Sequence, residues 1–338
     1  MLSTRLSYIR EKEGKYQFRL YNSEYNISYT NESLSKVISF RNSYLGYDPD
    51  KDDERQFTRG ITKIEEPLGI TKIEEPLSQQ DYVTFGVVSD THLGSRYERL
   101  DALNRMYDIF FECGVKTVFH CGNYVDGEAH FNRYDLHTVG MAGQIEYFIN
   151  EYPLRTGIKT YFVAGDDHEG WWQQRDGVEI GSYTELEAKK AGRNDLVYLG
   201  YVERDVVMNI GGDPFIIRVL HTGGGSSKGI SLSGQNIVDS YHWTDTVDML
   251  LVGHLHKTDF LPYYNGTSVV QAGCFQEQTT FMRKRKIIPA IGGWIIDVTK
   301  YDQDVWGIGG EYVAFPPKKW TNQLRHVQKV TPYELTPR

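Results

Sequence analysis

From residue 81 onward the chain repeats one rhythm, in which short apolar runs rich in Val, Ile, Phe and Tyr alternate with polar loops and with stretches of helical spacing. The runs at residues 82–88, 117–121, 160–164, 215–220, 249–252, 268–272 and 294–298 read as strands. Between the first two, Leu100, Leu103, Met106, Phe110 and Cys113 recur on one face and predict a helix over 98–113. Ser95 and Glu98 have the spacing of a capping box for it, and Gly114 supplies a stop. Further helical tracts lie around 136–152 and 181–191. Strand, helix and strand in this order imply an α/β domain.

The flanks differ. Residues 16–21 alternate like a half-exposed strand, and residues 48–56 hold almost no apolar side chain and read as a linker. The nonapeptide GITKIEEPL then occurs twice, at 60–68 and 69–77. Two copies of so short a unit do not make a solenoid, whose repeats run about 20 to 50 residues, so it reads as a duplicated linker or an edge hairpin. After Lys300 the chain becomes rich in Gly, Pro and aromatic residues and then polar, which predicts a tail. The expected organisation is a small N-terminal module with its linker over 1–80, the α/β domain over 81–300, and a tail over 301–338.

Composition narrows the function classes. No apolar run in the 338 residues approaches the ~18 to 20 needed to cross a membrane as a helix, and Arg5, Arg10, Glu11, Lys12 and Glu13 stand where a secretory apolar stretch would lie. A cytoplasmic setting with no membrane partner is expected, the host cytoplasm if a phage encodes the chain. Cys113, Cys121 and Cys274 are too few and too scattered for a disulfide framework or a cysteine zinc site. The net charge of −8 comes from the middle segment, where 20 Lys and Arg face 28 Asp and Glu over 81–300. Such a surplus argues against a generally basic nucleic-acid binder and provides carboxylates that a divalent cation needs.

Ligands of open α/β sheets gather where strands end, and here five strand ends carry Asp, Asn or His: Ser89-Asp90-Thr91-His92, Gly122-Asn123-Tyr124-Val125-Asp126, Gly165-Asp166-Asp167-His168-Glu169, His221-Thr222-Gly223-Gly224-Gly225 and Gly253-His254-Leu255-His256. A lone Asp-x-His is more often a turn than a ligand pair. Five such ends in succession point to a centre of imidazole and carboxylate, which suits Mn, Fe, Zn or Ni better than Ca or Mg alone. His120, His130, His137, His242 and His326 lack this placement and read as core, surface or turn residues.

With these motifs the sequence resembles, over about residues 82–300, the calcineurin-like metallophosphoesterases, whose pattern is Asp-x-His, Gly-Asp-x-x-Asp, Gly-Asn-His-Asp/Glu, His and Gly-His-x-His. More narrowly, HCGNYVDGEAHFNRYDL, AGDDHEGWWQQRDGVEIG, HTGGGSS, LLVGHLHK and QAGCFQEQTTFMRKRK are similar to a phage and bacterial branch of DNA-associated phosphoesterases. The resemblance implies a two-sheet α/β sandwich with a dinuclear metal site. It assigns Asp90, His92 and His256 to one ion and Asp167, His221 and His254 to the other. The family's bridging aspartate falls on Asn123, whose neutral amide bridges two cations poorly, while its metal-binding asparagine falls on Asp167. The exchange keeps the carboxylate count, so Asp167 is expected to dominate and Asn123 to become a terminal ligand, with Asp166 as a competitor.

Two such ions lower the pKa of a shared water and neutralise phosphoryl oxygens during in-line attack, so the expected reaction is phosphodiester hydrolysis by a metal-activated hydroxide, as in a nuclease or nucleotide phosphodiesterase. Mn²⁺ is the first choice of ion, with Mg²⁺, Zn²⁺, Fe and Ni²⁺ as alternatives. His168 matches the family histidine that protonates the leaving oxygen, or else is a further ligand, and Asp126 matches the carboxylate that orients it. Gly223 and Gly224 could let backbone N–H groups approach a phosphate. Arg283-Lys284-Arg285-Lys286, the one compact basic run of the domain, could steer a nucleic acid or nucleotide through Arg283 and Arg285. Trp171 and Trp172 could stack bases, although adjacent residues cannot both face one site. Two other readings compete: a catalytically weak or inactive accessory subunit of a replication or repair assembly, left open by Asn123, and a phosphomonoesterase acting on a protein or small molecule.

Overall fold

Three strands, β1 (Leu6–Lys12), β2 (Lys15–Tyr21) and β3 (Asn26–Asn31), pair antiparallel in that order, with Ile9 opposite Phe18 and Phe18 opposite Tyr29. They belong to the first of two units, Met1–Leu68 and Gly69–Arg338. The computed structural model describes residues 6–12, 15–21, 26–31, 36, 70–73, 81–225, 229, 231–242, 245–302 and 305–318. The expected linker at 48–56 and the first nonapeptide copy lie outside the described residues.

The second unit runs β4 (Ile70–Ile73), β5 (Tyr82–Val88), α1 (Leu100–Glu112), β6 (Thr117–His120), α2 (Met141–Glu151), β7 (Lys159–Ala164), α3 (Gly170–Asp176), α4 (Ile180–Lys190), β8 (Leu196–Tyr201), β9 (Glu203–Ile210), β10 (Asp213–Leu220), α5 (Leu232–Ser240), β11 (Met249–Val252), β12 (Thr258–Tyr264), β13 (Thr267–Ala272), α6 (Thr280–Arg285), β14 (Gly292–Asp302) and β15 (Val305–Ala314). The strands form two six-stranded sheets, ordered β15-β14-β5-β6-β7-β8 and β12-β13-β11-β10-β9-β4. Strands β5 to β8 are parallel, as are β10, β11 and β13, while β14 and β9 join antiparallel. This is the expected two-sheet α/β sandwich.

One buried cluster joins Phe85, Val87, Phe119 and Val163 of the first sheet to Ile217, Val219, Leu251 and Val270 of the second. The other face of the first sheet, with Val88, Val118 and Phe162, packs against Leu103, Met106 and Phe110 of α1 and Ile145 and Phe148 of α2. Val118 and Phe119 thus point into different cores, as the two-residue period of a strand requires. Strands covered on both faces read as unbroken apolar runs, which is why the central ones stand out in the sequence. At Gly86 any Cβ would lie 2.6 Å from the Phe110 ring, so glycine lets α1 close onto β5.

The structure revises three expectations. Arg99, with no side-chain cap, precedes α1, while Glu98 accepts from the Gly94 N–H (2.8 Å) and the Tyr147 hydroxyl (2.6 Å). Ser95 and Glu98 therefore brace a loop and do not cap the helix, although Gly114 does follow its end at φ +75°. The second nonapeptide copy supplies β4, parallel to β9, so the sandwich begins before residue 80. Residues 305–314 pair with β14 along its length, so the sheet continues past residue 300 where a tail was expected.

Candidate metal centre

All five motifs fall at the carboxyl ends of β5, β6, β7, β10 and β11, which brings five loops from two sheets to one end of the sandwich. The backbone there is bent unusually. Six of the ten non-glycine residues with positive φ among the described residues are Asp90, His92, Asn123, His168, His254 and His256. Such conformations cost on the order of 1–3 kcal/mol each and persist where surroundings enforce them. Here the Asp90 N–H donates to the Gly122 carbonyl and the His92 N–H to that of Asn123, both at 3.0 Å.

Among the described residues three groups have ligand atoms within 4.8 Å of one another: Asp90/His92/His256, Asp167/His221/His254, and His92/Asp126/His168, which shares His92 with the first and leaves the reading of His168 as a further ligand open. In the first, Asp90 Oδ1 is 3.3 Å from His256 Nε2 and 3.6 Å from His92 Nε2, and the two imidazole nitrogens are 3.2 Å apart. In the second, the Asp167 carboxylate is 3.2 Å from His221 Nε2 and 3.3 Å from His254 Nδ1. Asn123 stands between them. Its Nδ2 is 3.4 Å from Asp90 Oδ1, and its buried Oδ1 has no hydrogen-bond partner. A Cβ on Gly165 would lie 2.5 Å from that oxygen and 2.8 Å from the His221 ring, so glycine is required where the two meet. Asp166, the expected competitor, joins none of these groups.

The tautomers follow from the partners, because carbonyls and carboxylates only accept. His92 Nδ1 faces Asp126 Oδ1 at 2.9 Å, His221 Nδ1 faces the Cys121 carbonyl at 2.7 Å, and His254 Nε2 faces the Gly224 carbonyl at 2.9 Å. Each outer nitrogen carries the proton, which leaves the inner lone pair of the neutral ring directed at a group centre. That is how ligating histidines are oriented, and together with the orphaned Asn123 oxygen it makes these residues fit a divalent cation. In the absence of an ion, protons balance the carboxylates. Burial works against it, but bonds to Asp126 and Asp90 raise His92 to about 9, and the bond to Asp167 raises His221 to about 9. Asp167, against its own burial, is held far below the carboxylate range by His221 and His254.

Asp126 plays a part different from the expected one. Its carboxylate holds His92 and accepts from Gln276 (3.1 Å) and Asn132 (3.2 Å), whereas it is the Asp126 carbonyl that accepts from His168 Nδ1 at 2.7 Å, the carboxylate being 3.7 Å away. His168, lowered by burial and then by the His92 charge, presents Nε2. Glu169, whose role the sequence left unassigned, is fully buried and pushed up to about 8 by burial, and it accepts from the Asn123 and Gly165 N–H groups at 2.9 and 2.8 Å. It ties two of the strand ends together.

His92, Asn123, Asp126, Asp167, His168, His254 and His256 line a cleft of about 550 Å³, with Asp90, Glu169 and His221 behind them. Gly224 reaches it, through the carbonyl on His254, and Gly223 does not. Lys284 and Arg285 of α6 line it, while Arg283 does not. Of the adjacent tryptophans, Trp172 is buried in the core and Trp171 lines the cleft, stacked on His168 at 4.7 Å. Phe131 and Phe281, which the sequence did not single out, line it too. Among the other histidines, His120 is buried with Nε2 3.1 Å from the Thr91 hydroxyl, and His137 pairs with Glu98 at 3.2 Å; His326 lies outside the described residues.

A family model for the calcineurin-like phosphoesterase superfamily domain matches residues 83–287. No curated protein matches the chain. Among solved structures it is similar to a conserved protein of Streptococcus pneumoniae described as a predicted phosphoesterase, at 13% identity and a TM-score of 0.31 over 68% of this chain and 98% of that one. It is also similar to Vps29 of Chaetomium thermophilum, at 14% identity and a TM-score of 0.33 over 70% and 99%.

Proposed function

The chain belongs to the calcineurin-like phosphoesterase superfamily, generally metal-dependent hydrolases, and on that premise we propose that it hydrolyses phosphodiesters of nucleic acid or nucleotides with two divalent ions, Mn²⁺ first among them. The observation that carries the proposal is the presence of two separate ligand groups, Asp90/His92/His256 and Asp167/His221/His254, flanking one side chain, Asn123. Ions held there would supply Lewis acidity toward phosphoryl oxygens and a water.

The protein's own groups do the rest. The Asp126 carbonyl keeps the His168 proton on Nδ1, so Nε2 is the atom that can carry a second proton toward a leaving oxygen. The Asp126 carboxylate and the Gly224 carbonyl fix the rings of His92 and His254. Lys284 and Arg285 favour an anionic substrate in the cleft. A role on phage or bacterial DNA inside a cytoplasm is part of the same reading, and the three free cysteines suit a reducing compartment. Among the described residues no helix is long and apolar enough to cross a membrane.

A weakly active accessory subunit is the second reading, and it rests on the neutral amide at position 123. The deciding experiment pairs elemental analysis with Mn²⁺-dependent hydrolysis of bis-p-nitrophenyl phosphate and of p-nitrophenyl phosphate, in wild type and His168→Ala. Two metals and a diester activity lost in the variant are expected. Activity on the monoester alone would identify a phosphomonoesterase, and no metal with no hydrolysis at millimolar Mn²⁺ would leave only the accessory subunit.

A further inference from the structure

A line of rings leads out of the candidate centre. His92 meets His168 edge-on at 4.3 Å, His168 stacks on Trp171 at 4.7 Å, Trp171 meets Phe131 at 5.5 Å, and Phe131 meets Phe281 at 6.4 Å with planes tilted by 32°. His92 is buried and His168 and Trp171 are half-buried, whereas Phe131 is 65% and Phe281 53% exposed. They come from different elements, the loop after β6 and helix α6, and both line the cleft. A single exposed phenylalanine needs no explanation. Two in mutual contact that line the cleft, with Phe131 meeting Trp171 edge-on at 76° and Trp171 stacked on the His168 ring, form an exposed aromatic surface beside the candidate ligands.

The charge around this surface selects its occupant. Arg285 lies with its guanidinium 5.6 Å from the Phe281 centroid, and Lys284 and Arg285 share the wall with Phe281. An aromatic face next to cations is how proteins hold single-stranded nucleic acid, the ring taking a base and the cation a phosphate. A purely apolar ligand would gain nothing from the cations, and a bare phosphate nothing from the rings. We propose that Phe131 and Phe281 are a stacking platform for the nucleobase that flanks the scissile phosphate. The proposal rests on the phosphodiesterase reading above and narrows it to substrates with an exposed base. Base–aromatic stacking tolerates any base, so the platform selects unpaired nucleotides over paired ones without selecting a sequence.

The test uses the full chain loaded with Mn²⁺ and two readouts. Calorimetry compares the binding of thymidine 5′-monophosphate with that of 2-deoxyribose 5-phosphate. Turnover compares the p-nitrophenyl ester of thymidine 5′-monophosphate with methyl p-nitrophenyl phosphate, and the ratio of the two kcat/KM values cancels any general loss of activity. Wild type should favour the base-bearing partner by at least about tenfold in both, and the Phe131→Leu/Phe281→Leu double variant should bring both ratios close to one, mainly through KM. Equal binding of the two ligands by wild type, or a preference that survives in the variant, overturns the platform. So does a wild-type dimer that becomes monomeric in the variant without any base preference, because the rings would then cover a second copy. Base preference in binding with no turnover of either ester refutes the phosphodiesterase reading and leaves the platform standing.

Discussion

Around Asp90 the ligands are sealed in, with the Asp90 and His92 side chains 0% and 1% exposed, whereas Asp167 and His254 reach solvent at 27% and 23%. The first group is also braced from behind. Asp90 Oδ2 accepts from the Ser89 hydroxyl (2.6 Å) and the His254 N–H (2.8 Å), and His92 leans on Asp126. In the second group only His221 is buried, and among the described residues the Asp167 carboxylate is held by the imidazoles it faces. A buried carboxylate that already accepts its hydrogen bonds is preorganised for an ion, and an open one must be ordered by it. The inner group should therefore bind first and exchange slowly, and the outer should bind later and weaken first.

Asp90→Ala gives the largest effect. It leaves two buried imidazoles without their carboxylate, and it removes the carboxylate 3.4 Å from the Asn123 amide. The expected result is loss of the inner ion, with an activity drop beyond the ~10–100-fold typical of removing a partner behind a ligand. His221→Ala should lose only the outer ion. Elemental analysis reads both, and an Asp90→Ala protein that still holds two ions would abolish the distinction between the groups.

Asp126→Asn comes next. Gln276 and Asn132 already donate to the two carboxylate oxygens, so an amide NH₂ would oppose one of these donors and loosen His92. Inner-ion affinity should fall about 10–100-fold, measured by Mn²⁺ titration, while the outer constant changes less. Equal loss at both groups would mean that Asp126 acts on the whole end of the sandwich.

Asn123→Asp should move the outer group the other way. A second carboxylate about 3.4 Å from Asp90 repels it when no ion is present and attracts the ion when one is. Binding of the second ion should tighten by about tenfold, and the melting temperature of the metal-free protein should fall. Complete loss of metal in this variant would sink the idea that Asp167 carries the charge normally placed at position 123.

How much of this the sequence disclosed depends on which interaction fixed each residue. The central strands were readable because both faces are buried, and the ligands because each follows such a strand. Strand β9 opens on the charged run Glu203-Arg204-Asp205, β8 is an edge strand only partly buried, and β15 carries Gly307, Gly309 and Gly310; the long pairing with β14, not local preference, makes β15 a strand. The family resemblance paired Asp126 with His168 but could not say which of its oxygens pointed where, since the carboxylate is held by Asn132 of its own loop and by Gln276, 150 residues on. Arg283 and Arg285 were read together, yet of the basic residues of the short helix α6 Lys284 and Arg285 line the cleft and Arg283 does not. Phe131 and Phe281 are 150 residues apart and become neighbours only through the fold.

The smallest effect concerns the loop after β10, read from the sequence as a possible phosphate cradle. A Cβ on Gly224 would meet nothing within 4 Å, so space does not forbid a side chain there, but its φ of +86° lies where side chains are strained. Gly224→Ala should relax by turning that peptide, which takes the carbonyl away from His254 Nε2 and frees the ring to rotate its Nδ1 off Asp167. The strain is of order 1 kcal/mol, so outer-ion affinity should weaken only about three- to tenfold in a Mn²⁺ titration, with the inner constant unmoved. If substrate KM rises and neither ion constant changes, the loop serves the phosphate directly and His254 needs no carbonyl to hold it; a shift in the outer constant alone assigns Gly224 to the metal group and completes the contrast between a sealed centre and an open one.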